Sequence, residues 1–438
     1  MVSGCDGPPA LSGGSCVLRR LACTGGVERT TLPPVNPTRV PFSHRVAVLA
    51  VAVVVGLGFV ACGDVGAPST ASDVSATQRP PSKGPVGGPG TVENLDVITG
   101  LLSGSPILNV DFADPFMLDT GDVAYGYASN TTSANVPVTR FQGYQTATYL
   151  GDAMPNLPSW TSKDFIWAPA VYARPDGQYV MYYSALYNPS GRQCVSRALS
   201  SSPAGPFVDD STMPFVCPLD LGGAIDPSVV VDNGKPYLLY KNDGNCCNIT
   251  TSLWSVPLSS DGLSLNGQPT NLLSTSQPWE GGNIEAPSMV AVNGKYLLFY
   301  SANDWSTANY AVGYAVCDSI TGPCTKPEDE PWMVSTTNAQ GPGGQEFYAA
   351  RDQVWMVYHG WLPGEVNTPD GERRLYLDDI SVANNVPERI GAQRTFVQLL
   401  WYVLGALVIV VLVILVVVRL VRRRRRHRKA ERTAVAAQ

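Results

Sequence analysis

The sequence predicts an all-β protein, a five-bladed β-propeller, carried between an N-terminal signal or anchor segment and a C-terminal transmembrane helix. Three observations predict the propeller. The segments YGYAS, MYYSA, LLYKN, LFYSA and MVYHG align on Tyr127, Tyr183, Tyr240, Tyr300 and Tyr358, at intervals of 56, 57, 60 and 58 residues. Ahead of four of them stands an X-Pro step, at Asp114-Pro115, Ala168-Pro169, Asp226-Pro227 and Ala286-Pro287, followed by an apolar strand and a turn of the DTGD, RPDGQ, DNGK or VNGK kind. Convincing amphipathic helices are absent from this region. Asn-Gly and Asp-Gly between alternating apolar residues are hairpin signals, and proline at a strand start needs no ladder hydrogen bond. Five all-β units of nearly 60 residues, each supplying about four strands, fit radial packing around an axis. A β-helix is the alternative, with a much shorter repeat.

The 438-residue chain divides in order as follows. Residues 1–44 are rich in Gly, Pro, Ser and Thr without periodicity and read as disordered or as an over-extended start. Residues 45–62 end an apolar run, VAVLAVAVVVGLGFVAC, of signal-peptide length. Its close, Phe59-Val60-Ala61-Cys62, is similar to a lipoprotein cleavage box with Phe where leucine is usual, so lipidation of Cys62, an uncleaved anchor and an ordinary signal peptide stay open. Residues 63–95 form a Pro/Gly/Ser linker, and 97–390 the propeller. Residues 395–418, TFVQLLWYVLGALVIVVLVILVVV, carry no charge and are long enough to cross a hydrocarbon core of about 30 Å. The basic tail 419–438, with RRRRRHRK, belongs on the cytoplasmic side and leaves the propeller outside a bacterial cell membrane.

The charge is partitioned along the same lines. The tail contributes +8 and residues 1–62 contribute +3, so the rest of a chain of net charge −6 carries −17. An acidic exported body does not suit nucleic acid, whereas neutral sugars fit. Six of the ten cysteines lie in that body. In an oxidising compartment they suggest disulfides: Cys317 with Cys324 across a hairpin, Cys194 with Cys217, and an ambiguous adjacent pair, Cys246 and Cys247. No CxxC or HxxxH spacing supports a metal site instead. Two sequons begin at Asn130 and Asn248.

In a propeller the entrances of successive inner strands converge on one axial pocket. The X-Pro steps mark those entrances, so Asp114, Asp226, Glu285 (just before Ala286-Pro287) and Trp167 (just before Ala168-Pro169) are expected to face one cavity. A carboxylate beside Ile284, Ala286 and Pro287 has little structural excuse, since a buried unpaired charge is costly.

These residues carry a resemblance. ADPFML with Asp114, WAPAVYARPDGQYVMYYSA from Trp167, IDPSVVVDNGKPYLLY with Asp226 and IEAPSMVAVNGKYLLFYSA with Glu285 resemble glycoside hydrolase family 43, in order, over residues 107–385. The resemblance implies a five-bladed inverting glycosidase with Asp114 as general base, Asp226 as the residue that tunes and orients the acid, and Glu285 as general acid. Such chemistry needs one ionised carboxylate to take a proton from water and another that keeps its proton for the leaving oxygen.

Trp167 reads as a sugar-stacking platform and Trp305 as a further subsite candidate. The fifth blade departs from the family, in which a channel histidine often helps hold calcium. GPGGQEF puts Gly344 there, which removes the expected ligand, and Gln345, Glu346 and His359 are the residues that could partly replace it. The family's closing-strand arginine, a sugar-binding guanidinium, corresponds to Arg373 or Arg374, with Arg374 preferred, and His359 is placed with Trp167, Trp305 and Arg374 among the expected substrate-binding residues.

The expected function is a membrane-tethered, monomeric glycosidase acting on arabinofuranosyl or xylosyl linkages of polysaccharides. A non-catalytic carbohydrate-binding propeller is the alternative from another class. A receptor signalling through the tail ranks last, because about 20 residues are too few for a domain.

Overall fold

A computed structural model describes residues 90–92, 104–142, 146–350 and 353–435. The signal or anchor segment, Cys62 and nearly all of the linker lie outside the described residues. Among the described residues twenty strands form five antiparallel sheets. The first holds β1 (Gly90–Val92), β2 (Phe116–Asp119), β3 (Val123–Tyr127), β4 (Pro137–Gln142) and β5 (Thr146–Asp152), with β2 innermost and β1 outermost. The second holds β6 (Trp167–Ala173), β7 (Tyr179–Tyr187) and β8 (Arg192–Ser200). Its outer edge is reduced to single bridges, Val195 with Val216 and Leu199 with Val208. The segment beyond β8 carries Pro203, Pro206, Pro214 and Pro218, which cannot donate to a ladder.

The third sheet comprises β9 (Ala224–Asp232), β10 (Lys235–Asn242), β11 (Ser252–Pro257) and β12 (Thr270–Ser274). The fourth comprises β13 (Ile284–Val292), β14 (Lys295–Ala302), β15 (Ala311–Cys317) and β16 (Cys324–Thr325). The fifth comprises β17 (Gln340–Ala350), β18 (Gln353–Trp361), β19 (Arg373–Ala383) and β20 (Val386–Arg389). The inner strands neighbour one another in a closed ring, β2, β6, β9, β13, β17 and back to β2. The segment before β2 locks the ring, since the N–H groups of Ile107 and Phe112 donate to the carbonyls of Leu375 and Arg373 in β19.

The repeated tyrosines turn out to be core. Tyr127, Tyr183, Tyr240, Tyr300 and Tyr358 are all buried, each packed between a sheet and its neighbour. Large aromatics bury much area per residue, and their hydroxyls need partners when covered. Tyr183 donates to Asp209 at 2.6 Å and Tyr300 to Glu280 at 2.9 Å. For Tyr183, Tyr240, Tyr300 and Tyr358 the repeat legible in the sequence is thus the repeat of the inter-blade packing, and Tyr127 lies one residue out of that register.

Cys194 pairs with Cys217, Cys317 with Cys324, and the adjacent Cys246 and Cys247 with each other. Cys317 and Cys324 are directly opposite in the β15–β16 ladder, as a hairpin requires. Asn130, the first sequon residue, is buried and accepts the N–H of Ile166, so it is a structural residue, whereas Asn248 is exposed.

After β20 the chain passes without a linker into α1 (Ile390–Val435). Arg389, at the junction, is clamped in the last blade by Asp378 and by the hydroxyl of Tyr358 at 3.2 Å. Within α1, the span Leu404–Arg426 contains an 18-residue window of mean hydropathy 3.2 with no part buried against the protein, so it is long and apolar enough to cross a membrane.

Candidate active site

Each X-Pro step proves to be a backbone device. Asp114, Ala168, Asp226 and Ala286 take φ values of 50°, 45°, 53° and 49°, and Gly344 takes 57° in the fifth blade. A non-glycine residue in this left-handed region costs roughly 1–2 kcal/mol, and the residue before a proline prefers an extended backbone. Four such residues at one end of one channel are strain concentrated where function is expected. The conformation breaks the ladder: register shifts fall between Glu285 and Ser288, Trp167 and Ala170, and Gly343 and Glu346. The bulge turns the side chain at or beside each step toward the axis.

The five steps line one axial cavity of about 30 Å³, room for one or two waters, walled by Asp114, Ala168, Asp226, Ala286 and Gly344, with Ser228 and Glu346 deeper in the channel. Asp114 is held on all sides. Its Oδ2 accepts Ser129 Oγ at 2.5 Å, its Oδ1 lies 3.3 Å from Arg373 Nη1, and its N–H donates to His359 Nδ1 at 3.0 Å. Asp226 Oδ2 accepts the N–H of Ala286 at 3.0 Å. Glu285 receives three donors: Lys241 Nζ at 2.8 Å and Asn283 Nδ2 at 2.9 Å on Oε2, and Tyr310 OH at 2.7 Å on Oε1.

The electrostatics divide the neighbouring acids. Burial, then the charge of Glu285, push the Asp226 carboxyl up to about 8. Asp226 keeps some exposed area, but it sits on the wall of a narrow recess, where the atoms packed around the carboxyl govern its hydration. Burial works in the same direction on Glu285, yet the adjacent Lys241 ammonium and the hydrogen bonds from Lys241, Asn283 and Tyr310 outweigh it and hold Glu285 below the usual carboxylate range. Glu346 is also raised, to about 7, by burial, although Ser288 Oγ donates to it at 2.5 Å.

The aromatic and basic candidates fall into two groups. Trp167 opens β6 beside Ala168, with its indole N–H buried and without a hydrogen-bond acceptor. Trp305 stacks on Trp361 at 6.5 Å between centroids, and the Arg373 guanidinium lies 5.0 Å over its ring, which ties Trp305 to Asp114 through Arg373. His359 is wholly buried and stacks on Tyr310 at 6.0 Å. The preference for Arg374 is corrected: Arg374 binds Asn109 and Glu365, and Arg373 reaches Asp114. Successive residues of β19 point to opposite faces, so only one arginine of the pair can face the axis.

The fifth blade explains its own glycines. A Cβ on Gly344 would lie 2.6 Å from His359 Nδ1 and 3.0 Å from Asp114 Oδ1, so the imidazole from β18 fills the space that a side chain at 344 would need. A Cβ on Gly343 would meet the Tyr310 ring at 2.1 Å. Among the described residues no group of three or more His, Cys, Asp or Glu side chains is arranged to hold a metal ion. Calcium takes 6–8 oxygen ligands. Beside Gly344 the candidate donors are engaged within the protein, His359 Nδ1 by the Asp114 N–H and Gln345 Oε1 by Ser301 Oγ.

Sequence reasoning did not single out Lys241, Asn283, Tyr310 or Ser129. Lys241 had a signal, since it follows the repeated Tyr240 where Ser184 and Ser301 follow theirs. Tyr310 comes from the connection between β14 and β15, outside the repeat.

A five-bladed propeller whose strained inner-strand entrances bring acids together at the axis defines the class: an all-β protein with a carboxylate-rich axial pocket. Residues 103–386 match the family description "Glycosyl hydrolases family 43", and the chain belongs to that family. It is 26% identical over 228 residues to a beta-D-galactofuranosidase of Aspergillus niger, an alignment covering 47% of this chain and 58% of that one. It is 28% identical over 244 residues to the extracellular endo-alpha-(1->5)-L-arabinanase 1 of Bacillus subtilis, covering 50% of this chain and 68% of that one. Among solved structures it resembles an endo-1,4-beta-xylanase from Bacteroides thetaiotaomicron, 25% identical with a TM-score of 0.54 over 64% of this chain and 94% of that one.

Proposed function

We propose that the protein is a membrane-tethered, inverting glycosidase that cleaves arabinofuranosyl or xylosyl linkages in polysaccharides outside a bacterial cell. The observation that carries this reading is the unequal treatment of three acids at one axis. Asp114 is fixed by Ser129, Arg373 and His359, in keeping with a base that takes a proton from water. Asp226 and Glu285 form a buried, mutually repelling pair that favours retention of one proton, which a general acid needs. Water attacks the anomeric carbon as Asp114 takes its proton, and Glu285 protonates the departing oxygen on the opposite face of the sugar. Trp167 supplies a flat apolar surface for the sugar ring, and Arg373 with Trp305 forms a further contact.

The names of the relatives support five-membered or pentose rings: one is a galactofuranosidase, one an arabinanase. The apolar helix and its arginine-rich end support a tether with the propeller outside and the tail in the cytoplasm. The test is hydrolysis of arabinan, arabinoxylan, arabinogalactan and aryl pentosides by the detergent-solubilised protein, with Glu285→Gln as control. The variant is expected to lose about 10²- to 10⁴-fold in kcat on substrates with poor leaving groups. Binding of these glycans without turnover by the wild type points to the carbohydrate-binding alternative, and turnover unchanged in Glu285→Gln removes Glu285 as the acid.

A further inference from the structure

Four blades share a polar link between neighbours, and the third does not. Near the channel end of the second strand, Ser129 accepts the N–H of Ala168 at 2.9 Å, Ser184 that of Asp226 at 3.0 Å and Ser301 that of Gly344 at 2.9 Å. His359 closes the ring by accepting the N–H of Asp114 at 3.0 Å. In blade three this place is held by Lys241, whose ammonium has no acceptor to offer, and the N–H of Ala286 goes to Asp226 instead. The fold asks only for a small acceptor here, as three serines demonstrate, and burying an ammonium is costly. Yet Lys241 is 0% exposed.

Its Nζ donates to Glu285 Oε2 at 2.8 Å and to Asn245 Oδ1 at 2.9 Å. The other charged or titratable groups facing this pair are Asp226 on β9, Asp243 just past β10 and Tyr310 ahead of β15, with Arg192 on β8 acting on Asp243 and Asp114 on Asp226 from across the cavity. Around the axis the carboxyl groups (Asp114, Asp226, Glu285 and the deeper Glu346, with Asp243 behind Lys241) outnumber the two fixed cations, Arg373 and Lys241, which favours keeping protons on some of the acids. Glu285 receives three donors, whereas the Asp226 carboxyl accepts the backbone N–H of Ala286.

We propose that Lys241 is a positioning residue for the proton: it holds Glu285 ionised in the ligand-free site, so that the proton destined for the leaving group is stored on Asp226. This rests on the glycosidase reading. In turnover the proton leaves the Asp226 carboxyl, bonds to Glu285 and passes to the glycosidic oxygen as the bond from that oxygen to the anomeric carbon breaks. Water supplies hydroxide to the anomeric carbon and a proton to Asp114, and return of that proton through solvent to Asp226 restores the site. The opposite shifts of Asp226 and Glu285 agree with this placement.

Two measurements test it. Isotope-edited infrared spectra of the ligand-free full-length protein are recorded at pH 7.5 in a Glu346→Gln background, which removes the deeper carboxyl. The protonated-carboxyl band is expected to shift with ¹³C-aspartate labelling and to vanish in Asp226→Asn; a shift with ¹³C-glutamate labelling overturns the proposal. In pH profiles of kcat/KM, Lys241→Met is expected to move the basic limb up by about 1–3 pH units, because loss of the ammonium lets the acid pair hold its proton longer, while Lys241→Arg restores the limb. Tyr310→Phe, which removes a donor from the same carboxylate, is expected to move it the same way and serves if Lys241→Met fails to fold. A limb unmoved while kcat falls makes Lys241 purely structural and overturns the proposal. A wild type that hydrolyses no glycan sinks the glycosidase reading instead, and the infrared result still decides where the proton sits.

Discussion

Gly344→Ala is the sharpest test of how the fifth blade is built. The substitution adds one methyl group at φ 57°, 2.6 Å from His359 Nδ1, 2.7 Å from its Cε1 and 3.0 Å from Asp114 Oδ1. The left-handed backbone costs alanine roughly 1–2 kcal/mol. Overpacking a fixed core adds about 1–3 kcal/mol, and the imidazole has little freedom to yield, being bonded to the Asp114 N–H and stacked on Tyr310. The expected loss is therefore about 2–5 kcal/mol, which in thermal unfolding at about 2–4 °C per kcal/mol is a drop of about 4–20 °C. Activity should fall as well, because the displaced ring pushes on both Asp114 and the Tyr310 that binds Glu285. His359→Ala in the same background removes the clash and leaves the backbone strain. The double variant should therefore be about 1–3 kcal/mol more stable than the sum of the single losses. A melting temperature within 1 °C of wild type (roughly half a kcal/mol or less), or strictly additive losses, refutes the packing argument.

Three further outcomes follow from the structure. Glu346 is raised on folding from 4.5 to about 7, so the native state binds more protons than the unfolded one across that window. Stability should then be highest below about pH 4.5 for this group and fall by about 3 kcal/mol as pH rises through 7, and Glu346→Gln should flatten that decline in chemical denaturation. Replacing the cysteines of the 194–217 pair, 23 residues apart, should cost about 3 kcal/mol against about 2 for the 317–324 pair, 7 apart, because the longer loop gains more freedom when unfolded; equal losses in denaturant melts count against that account. Chelation with EGTA should leave both melting temperature and hydrolysis unchanged, and a drop restored by calcium would show that oxygen ligands beyond those around Gly344 assemble a site.

The propeller was legible because its packing repeats. Tyr183, Tyr240, Tyr300 and Tyr358 recur because each packs against the preceding blade, whereas Tyr127 stands one residue out of that register, pairing with Phe116 as Tyr182 pairs with Ala170, and packs toward the second blade. The steps were legible as proline signals, but their left-handed backbone was not: φ near 50° at a non-glycine residue before proline runs against local preference and is imposed by the ring. Position in the repeat brought Asp114 and Asp226 to the cavity wall and Glu285 to the residue beside it. The partners that set their charge come from elsewhere. Tyr310 and Asn283 sit in connections with no period, and choosing Arg373 over Arg374 needed the register of β19, where an error of one residue reverses the face.

Exceptions to the repeat say more about chemistry than the repeat itself. Ser129, Ser184 and Ser301 do the same thing in three blades, accepting a backbone N–H from the next. The two blades that break this composition are the two whose substitutes set a nitrogen base against an acid: the His359 imidazole lies 3.3 Å from Asp114 Oδ1, and the Lys241 ammonium 2.8 Å from Glu285 Oε2. A symmetric ring would give its acids equivalent surroundings and similar proton affinities, which is useless to a reaction that needs a proton taken at one place and given at another. Placing an imidazole and a guanidinium on one side of the axis and an ammonium on the other breaks that equivalence while leaving the five-fold backbone intact. Changing Lys241 to serine would restore the symmetry of the scaffold, and on this argument it should preserve the propeller while erasing the difference between its acids.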